Sequence, residues 1–415
     1  MPHSKPNRRG FLKVASAGTA FSLAAVSYGR VIGANERISI GMIGCGSRGF
    51  GAHMQGVQKH AKAENVEFTA VSDPWRQRRQ RAADAVKEWT GTPARQFVSY
   101  RDIMSLEDVD AVMIASCDHQ HTTHLEAAAK AGKHVYCEKP LAMDFERLKR
   151  ACDAVREAGV VFQAGTQVRS WPTSRGCRAA FAEGKLGSIS RIEQFRNSTR
   201  PYWYGYLAEA KEADVDWKEF LMDAPEVPFR ADRFTGWYGY RDYSDGPIPG
   251  LGSHFVDLIH YITGAKYPKS CVAHGGIFTW KDEHEFTCPD QAEAVWVYPE
   301  GFVASYVSNF GNGGGNRILF SGANGTLSLT PWTKPTISSA GAIGKSELAE
   351  ETPVPPVEGP DHFQDWLQCM RSGKETNAPL EAGYQHAVAV IMAMKAFDSG
   401  KRQVYDHDKR EIREG

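Results

Sequence analysis

The stretch that decides the fold is Ile38-Ser39-Ile40-Gly41-Met42-Ile43-Gly44-Cys45-Gly46-Ser47-Arg48-Gly49. Its first half alternates apolar residues up to Ile43, which predicts a strand that leads into a glycine loop and a helix start. Gly44 permits a tight turn, Gly46 lets a pyrophosphate approach the backbone, and Gly49 lets the helix pack on the strand. The helix N-terminus offers free N–H groups to phosphates. The loop residues expected to contact a dinucleotide are Gly44, Gly46, Ser47, Arg48 and Gly49.

A GxGxxG loop alone is a weak signal, and the next predicted strand strengthens it. This strand covers residues 66–72 and ends at Asp73, which lies 24 residues beyond Gly49. An acid at this place can accept hydrogen bonds from the ribose 2′-hydroxyl and would repel a 2′-phosphate, so NAD is favoured. The alternative is that Asp73 only caps the turn before Pro74. Three nearby arginines keep NADP open: Arg76, Arg78 and Arg79.

Length and charge limit the class of protein. A chain of 415 residues allows two or three domains. Lys+Arg and Asp+Glu both number 49, so the net charge is zero and no basic field exists to hold nucleic acid or an anionic membrane. The eight cysteines form no CxxC pair and are expected to be scattered, buried thiols. Small-molecule chemistry is therefore favoured.

The first 34 residues are predicted to be a signal and not part of the fold. The segment from Asn7 to Lys13 contains Arg8-Arg9 and resembles a twin-arginine export signal. The mild apolar run at 14–26 is shorter than the about 20 residues that span a bilayer, and it suits the apolar region of a signal. This predicts a periplasmic or otherwise exported protein that is not inserted in a membrane. The alternative is a disordered tail on a cytoplasmic protein.

Strands and helices alternate along the first half of the chain. Residues 110–116, 134–137 and 160–163 are predicted strands, and residues 122–131 are a predicted helix that stops at Gly132. Such alternation favours a parallel sheet with helices on both faces. We therefore predict an α/β fold that begins with an NAD-binding Rossmann domain at residues 35–162.

Three separated motifs carry a family resemblance. They are the glycine loop, Glu138-Lys139-Pro140, and Gly252-Ser253-His254-Phe255-Val256-Asp257. Together with the loop at 117–121, they resemble the Gfo/Idh/MocA oxidoreductases from about residue 36 to the end. The resemblance implies a second, α+β domain at 163–360, with a large, open, mostly antiparallel sheet for substrate binding and oligomer contacts. Residues 361–415 are then expected to be helices that pack back on the Rossmann domain.

The resemblance also implies roles for individual residues. Lys139 would sit beside the nicotinamide and stabilise charge on the reacting oxygen, whereas without the resemblance it is a solvated loop lysine. His254 would accept the hydroxyl proton, with a packed interface histidine as the alternative. Glu138 would steady the cofactor loop, and His121 would lie on the cofactor side. Asp257 would orient His254, bind a sugar hydroxyl, or serve as a buried structural acid.

One position departs from the family pattern. Many family dehydrogenases carry an acid four residues before the histidine, and Gly250 stands there in this chain. The candidates to replace that acid are Asp245, Tyr243 and Asp257. The departure leaves altered chemistry open.

An aromatic segment completes the candidate site. Residues 202–243 hold nine Trp or Tyr residues, whose flat faces suit sugar rings, although aromatics are also enriched at subunit interfaces. The histidines at 119, 121 and 124, near Cys117, fit no common zinc pattern, so no metal is predicted. Gln167 is a further candidate for the site. The predicted substrate contacts are Arg169, Trp237, Tyr243 and Asp257.

The sequence therefore predicts an oxidoreductase that transfers a hydride between a sugar or cyclitol hydroxyl carbon and a tightly bound NAD, with NADP not excluded. The alternative enzyme is an NAD-dependent glycosidase that oxidises, eliminates, adds water and reduces back. A catalytically silent NAD-binding sensor is a third possibility. The expected partner is a small carbohydrate, and the expected assembly is a homodimer or homotetramer.

Overall fold

The computed structural model describes residues 37–415. The signal predicted at residues 1–34 lies outside these described residues. No helix in the described part of the chain is long and apolar enough to cross a membrane.

The N-terminal domain is built on a six-stranded parallel sheet. Its strand order is β3-β2-β1-β4-β5-β6, so the order reverses between β1 and β4. All six residues of β1 are buried, as expected for a strand covered on both faces. The strands are β1 Ile38–Ile43, β2 Val66–Ser72, β3 Arg95–Phe97, β4 Ala111–Ile114, β5 His134–Cys137 and β6 Phe162–Ala164.

Helices cover both faces of this sheet. The glycine loop leads into a helical stretch whose first turn, Gly49–Met54, is π-helical. The Ala-rich helix predicted at 122–131 is confirmed at His121–Lys130. The helices are α1 Gln55–Gln58, α2 Arg76–Thr90, α3 Tyr100–Met104, α4 His121–Lys130 and α5 Phe145–Ala158.

Gly44 and Gly49 have the structural roles in the turn and in helix packing that the sequence indicated. Gly44 has a φ of +87°, and a Cβ there would lie 2.6 Å from the Ala115 carbonyl oxygen. A Cβ on Gly49 would overlap the carbonyl of Gly44. Both positions therefore require glycine for the strand, turn and helix to pack.

The C-terminal domain is built on a ten-stranded sheet of order β14-β13-β12-β11-β7-β10-β9-β8-β15-β16. Only the β7–β10 pair is parallel, which agrees with the expected mostly antiparallel sheet. The strands are β7 Ile189–Asn197, β8 Ser270–Gly276, β9 Gln291–Val297, β10 Val303–Asn309, β11 Arg317–Gly322, β12 Gly325–Ser328, β13 Thr336–Ser338, β14 Thr352–Pro353, β15 Gln403–Asp406 and β16 Glu411–Glu414.

The helices of this half lie between the two sheets and beside the first. They are α6 Pro172–Ala182, α7 Trp217–Leu221, α8 Ala231–Thr235, α9 Ser253–Thr263, α10 His362–Ser372 and α11 Leu380–Ser399. Helix α10 packs back on the first domain, where Arg371 donates to the Asn65 carbonyl at 3.0 Å. The end of the chain differs from the prediction of helices up to residue 415. Gly400 ends α11 in a left-handed conformation, and β15 then pairs with β8 in the large sheet.

The aromatic segment at 202–243 forms an apolar core of its own. Trp203, Tyr240 and Tyr243 are each at most 1% exposed and pack with Phe220 and Phe234. Most of this segment's aromatic side chains are therefore used inside the fold. The segment crosses the carboxyl ends of the parallel strands, where it covers the candidate site.

Candidate active site

A cleft lies at the carboxyl ends of β1, β2 and β4. The chain reverses its strand order there, which is where open α/β sheets bind their ligands. One wall is the glycine loop with Asp73, and the other is the aromatic segment with Trp237 and Tyr238. We call this space the cofactor cleft.

The cofactor cleft fits a dinucleotide. Gly44, Gly46, Ser47 and Arg48 all border it. A Cβ on Gly46 would meet only the Arg78 side chain at 3.5 Å, so the missing side chain keeps the backbone open to the cleft. Backbone N–H groups at such a loop bind phosphate.

Asp73 caps a turn, and its place beside the cleft leaves the predicted ribose contact open. Its Oδ2 accepts from the Cys45 N–H at 2.8 Å and its Oδ1 from the Trp75 N–H at 2.9 Å, so it fixes the turn. It also borders the cofactor cleft, where an acid suits a ribose hydroxyl.

Glu138 ties the glycine loop to the strand that carries Lys139. Its carboxylate is 3.1 Å from Arg48 Nε and 2.8 Å from His53 Nε2, and it accepts from Gln167 at 2.7 Å. Burial opposes ionisation, but Arg48 and the hydrogen bond from His53 hold the pKa of Glu138 well below its usual range. These contacts agree with the expectation that Glu138 steadies the glycine loop. They also hold the Arg48 guanidinium, which pairs with Glu138.

The structure gives His121 a supporting role in place of the expected cofactor contact. Its Nδ1 lies 2.8 Å from the Pro140 carbonyl and its Nε2 lies 3.1 Å from the Ser116 carbonyl. The side chain is 1% exposed and lies outside the cofactor cleft. It therefore positions the loop that follows Lys139.

The aromatic segment is fastened to the first domain over the cofactor cleft. Asp214 pairs with Arg76, and the Phe220 carbonyl accepts from Gln120 at 2.7 Å. Glu219 accepts from Ser99 Oγ at 2.8 Å. These contacts close the cleft on the side opposite the glycine loop, so a dinucleotide there would be enclosed.

The Lys139 ammonium lies near His254, and its charge acts on the imidazole. Lys139 Nζ donates to the Gly250 carbonyl at 2.8 Å, and Gly250 lies one helical turn before His254. Burial lowers the pKa of Lys139, and Glu138 and Asp118 oppose this. Burial and the Lys139 charge lower the pKa of His254 well below its usual value, so the imidazole is neutral at pH 7.

Tyr202 fills the space of the side chain that Gly250 lacks. A Cβ on Gly250 would overlap the Tyr202 hydroxyl. This hydroxyl is buried and has no hydrogen-bond partner among residues 37–415. The sequence indicated Tyr202 only as one residue of the aromatic segment, because only the fold brings it across to Gly250.

The three predicted substitutes for the missing acid are engaged elsewhere. Asp257 forms a buried two-bond pair with Arg169, at 2.7 and 3.0 Å. The Tyr243 hydroxyl accepts from Arg233 at 2.9 Å inside the aromatic core. Asp245 pairs with Arg241 at 3.3 Å.

These contacts correct three predicted substrate residues. Arg169, Asp257 and Tyr243 have internal partners, because burial forces their polar groups to pair within the protein. Trp237 stacks on Tyr238 with centroids 3.6 Å apart and borders the cofactor cleft, so it lies nearer the dinucleotide than expected.

A second cavity borders His254 from the side of the large sheet. It has a volume of about 580 Å³ and shares Arg48 with the cofactor cleft. Gln167, which the sequence indicated, lies on its wall. We call it the sheet-side cavity.

The remaining histidines and cysteines are accounted for within the fold. His119 lies 3.2 Å from the Phe220 carbonyl and His124 lies 2.9 Å from Ser116 Oγ. No group of three metal-binding side chains occurs in residues 37–415. All eight cysteines are free and buried, as the sequence predicted.

Comparison with known protein families agrees with this geometry. Residues 38–166 match the model described as the oxidoreductase family, NAD-binding Rossmann fold, and residues 212–328 match the Gfo/Idh/MocA C-terminal domain. The chain belongs to the Gfo/Idh/MocA oxidoreductase family. Its N-terminal domain is an NAD-binding Rossmann domain.

Two curated members of the Gfo/Idh/MocA family are similar to this chain over part of its length. The 1,5-anhydro-D-fructose reductase of Ensifer adhaerens is 30% identical over 38% of this chain and 51% of its own length. The levoglucosan dehydrogenase of Pseudarthrobacter phenanthrenivorans is 30% identical over 55% of this chain and 52% of its own length. The chain thus spans about half the length of these relatives.

Solved structures share the fold over most of the chain. A levoglucosan dehydrogenase in complex with NADH and levoglucosan superposes with a TM-score of 0.68 at 17% identity, and covers 88% of this chain and 99% of that one. The aldose-aldose oxidoreductase from Caulobacter crescentus, complexed with glycerol, superposes with a TM-score of 0.66 at 18% identity over the same shares.

Replacing Gly46 with valine is expected to weaken NAD binding without unfolding the protein. The new side chain has room beside Arg78 but occupies the approach of the pyrophosphate. The expected loss is about 10-fold or more in Kd, which corresponds to 1.4 kcal/mol. Fluorescence titration with NADH measures it. The matched control is Gly51→Val, because Gly51 has open space around it and lies outside the cleft. Equal affinities in both variants would contradict the assignment.

Proposed function

We propose that this chain is an NAD-dependent oxidoreductase that transfers a hydride between a sugar or cyclitol hydroxyl carbon and a tightly bound nicotinamide cofactor. The observation that carries the proposal is the Lys139 ammonium, which donates to the Gly250 carbonyl one helical turn before His254. His254 borders the sheet-side cavity, and Arg48 borders both this cavity and the cofactor cleft. A redox cofactor on one side and a substrate on the other would meet at these two side chains.

The residues fit the chemistry of alcohol oxidation. When bound, NAD would supply the acceptor for the hydride that leaves the carbon bearing the hydroxyl. The hydroxyl proton passes to the neutral imidazole of His254 as the carbonyl forms. The Lys139 ammonium stabilises the negative charge that develops on the oxygen. In the reverse direction the same groups return the proton.

Two further observations support the proposal. Both curated relatives described above are named for sugar-derived compounds. The fastened aromatic segment supports a cofactor that stays bound between turnovers, so that a second sugar would reoxidise it. The Arg76–Asp214 pair and the hydrogen bond from Ser99 to Glu219 hold the aromatic segment over the cofactor cleft.

Location and assembly are part of the proposal. The twin-arginine segment at residues 1–34 would export the folded protein with its cofactor, and replacement of Arg8 and Arg9 with lysine should leave the protein in the cytoplasmic fraction. A homodimer or homotetramer is proposed, since Val272 and Val297 are exposed on the large sheet at 43% and 40%. Light scattering on the purified protein measures the assembly.

The test uses the purified full chain, its bound cofactor and a panel of sugars and cyclitols. We expect a lasting change in absorbance near 340 nm with at least one of them. Free sugar released from an aryl glycoside without net redox change would favour the glycosidase instead. Binding without either reaction would overturn the enzyme proposal.

Activity is expected to rise with pH through neutrality because of Asp118. Burial raises the pKa of Asp118 to about 7, against the Lys139 charge and a hydrogen bond from Ser244. As the pH rises through 7, Asp118 becomes ionised and its charge favours the Lys139 ammonium. The plot of kcat/KM against pH should rise through this range, and Asp118→Asn should remove the rise. Asp223→Asn is the control, because Asp223 is exposed and pairs with Arg147. An unchanged rise in Asp118→Asn would refute this role.

A further inference from the structure

The sheet-side cavity carries an uncompensated positive charge. It is bordered by two arginines, Arg48 and Arg196, and by no aspartate or glutamate. Arg48 is already paired with Glu138 at 3.1 Å. The side chain of Arg196 has no ion pair or hydrogen bond among residues 37–415. The cavity therefore presents one guanidinium that is ready for an anion.

Arg196 reaches the cavity because of its place on β7. Side chains two residues apart share a face of a strand, and Ile192 and Gln194 on this face are 0% and 3% exposed. Arg196 continues the same face at the point where the sheet emerges at the cavity. On the opposite face, Arg191 and Glu193 form a pair at 3.0 Å. The two arginines of one strand thus differ in that only Arg191 has a carboxylate partner.

Gln194 supplies an unused hydrogen-bond acceptor beside Arg196. Its Oε1 is buried and has no partner in the described part of the chain, yet the side chain borders the cavity. A buried acceptor without a partner destabilises a folded protein. A hydroxyl of a bound ligand would satisfy it.

Two tryptophans form the apolar part of the cavity wall. The rings of Trp171 and Trp332 have centroids 6.0 Å apart and an interplanar angle of 58°. Trp171 is 38% exposed, which is unusual for so large an apolar side chain. Flat rings of this kind bind the C–H face of a sugar ring.

We propose that the substrate is a sugar acid, a carbohydrate that carries a carboxylate. Its carboxylate pairs with Arg196, since a guanidinium binds a carboxylate through two parallel hydrogen bonds. One hydroxyl donates to Gln194, the ring lies against Trp171 and Trp332, and the reacting hydroxyl faces His254. This inference rests on the proposed function and adds the class of substrate to it.

Matched pairs of sugars test the inference on the full chain with its bound cofactor. The pairs are D-glucose with D-glucuronate and D-galactose with D-galacturonate, and glucose 6-phosphate serves as the phosphate arm. Tryptophan fluorescence measures binding, and absorbance near 340 nm measures turnover. We expect the acid of at least one pair to have a Kd and a KM lower by 10-fold or more than its neutral partner.

The variant Arg196→Gln should remove this preference, so that the KM and the Kd for the acid rise to those of its neutral partner. Arg191→Gln is the matched control, because it changes an arginine on the opposite face of the same strand. Arg196→Lys keeps the charge without the planar fork and should give an intermediate KM. The melting temperature of each Arg196 variant, compared with that of the unchanged protein, separates a loss of binding from a loss of the fold.

The outcomes separate the inference from the function on which it rests. Turnover of neutral sugars as efficient as that of their acids would overturn the inference and leave the oxidoreductase standing. A preference for glucose 6-phosphate over both acids would also overturn it. No change in cofactor absorbance with any sugar would instead overturn the proposed function, and the fluorescence titration would still show whether Arg196 selects the acids.

Discussion

Replacing Lys139 with alanine is expected to lower kcat about 10²–10³-fold, the usual cost of removing one donor that stabilises a developing oxyanion. Lys139 is placed for that task because its Nζ is held by the Gly250 carbonyl at 2.8 Å, one helical turn before His254. Cofactor affinity should change little, since the glycine loop and Asp73 do not depend on the ammonium. Stopped-flow absorbance near 340 nm measures the rate, and titration with NADH measures the affinity.

Two other variants make this prediction specific. Lys139→Met keeps most of the side-chain volume and removes the charge, so it should be as slow as the alanine variant even if the alanine leaves a cavity. Lys130→Ala is the control, because Lys130 pairs with Glu126 on the surface of α4. Turnover in Lys139→Met within 3-fold of the unchanged protein would refute the electrostatic role.

The fold was predictable where short-range patterns specify it. The strand before Gly44 and the left-handed turn at Gly44 follow from sequence spacing and backbone sterics alone. The last strands were not predictable in this way. β15 is only four residues long, and its pairing with β8 is made across more than 130 residues of chain. A short polar segment of this kind becomes a strand through its partner and not through its own periodicity.

The candidate site was predictable where a motif marks it, at Lys139 and His254, which the fold brings together through Gly250. The contacts of Asp257 and Tyr243 were not predictable, because their partners Arg169 and Arg233 are chosen by packing. Tyr202 carried no signal beyond its place in the aromatic segment, since its meaning depends on the empty volume at Gly250. The aromatic segment suggested a sugar-binding surface, but most of its rings pack in an apolar core. The sequence could not separate these two uses, because large rings are common in both.

Replacing Asp257 with asparagine is expected to lower the free energy of unfolding by about 3–5 kcal/mol, because it leaves the buried charge of Arg169 without its partner. Arg169 and Asp257 are 8% and 1% exposed at their side chains and share two hydrogen bonds. Arg169 also donates to the Asn377 carbonyl at 2.9 Å, so the pair joins the segment after β6, α9 and the segment before α11. Urea denaturation followed by circular dichroism measures the loss.

The double variant Arg169→Met with Asp257→Leu distinguishes a structural pair from a substrate contact. Removing both charges together should recover most of the stability, since apolar groups of similar volume replace buried ion pairs at little cost. Glu126→Gln, which breaks the exposed pair with Lys130, should cost no more than about 0.5 kcal/mol and is the control. If Asp257 held the substrate, Asp257→Asn would raise KM at unchanged stability. A stable Asp257→Asn protein with a raised KM would therefore restore the role that the sequence first indicated.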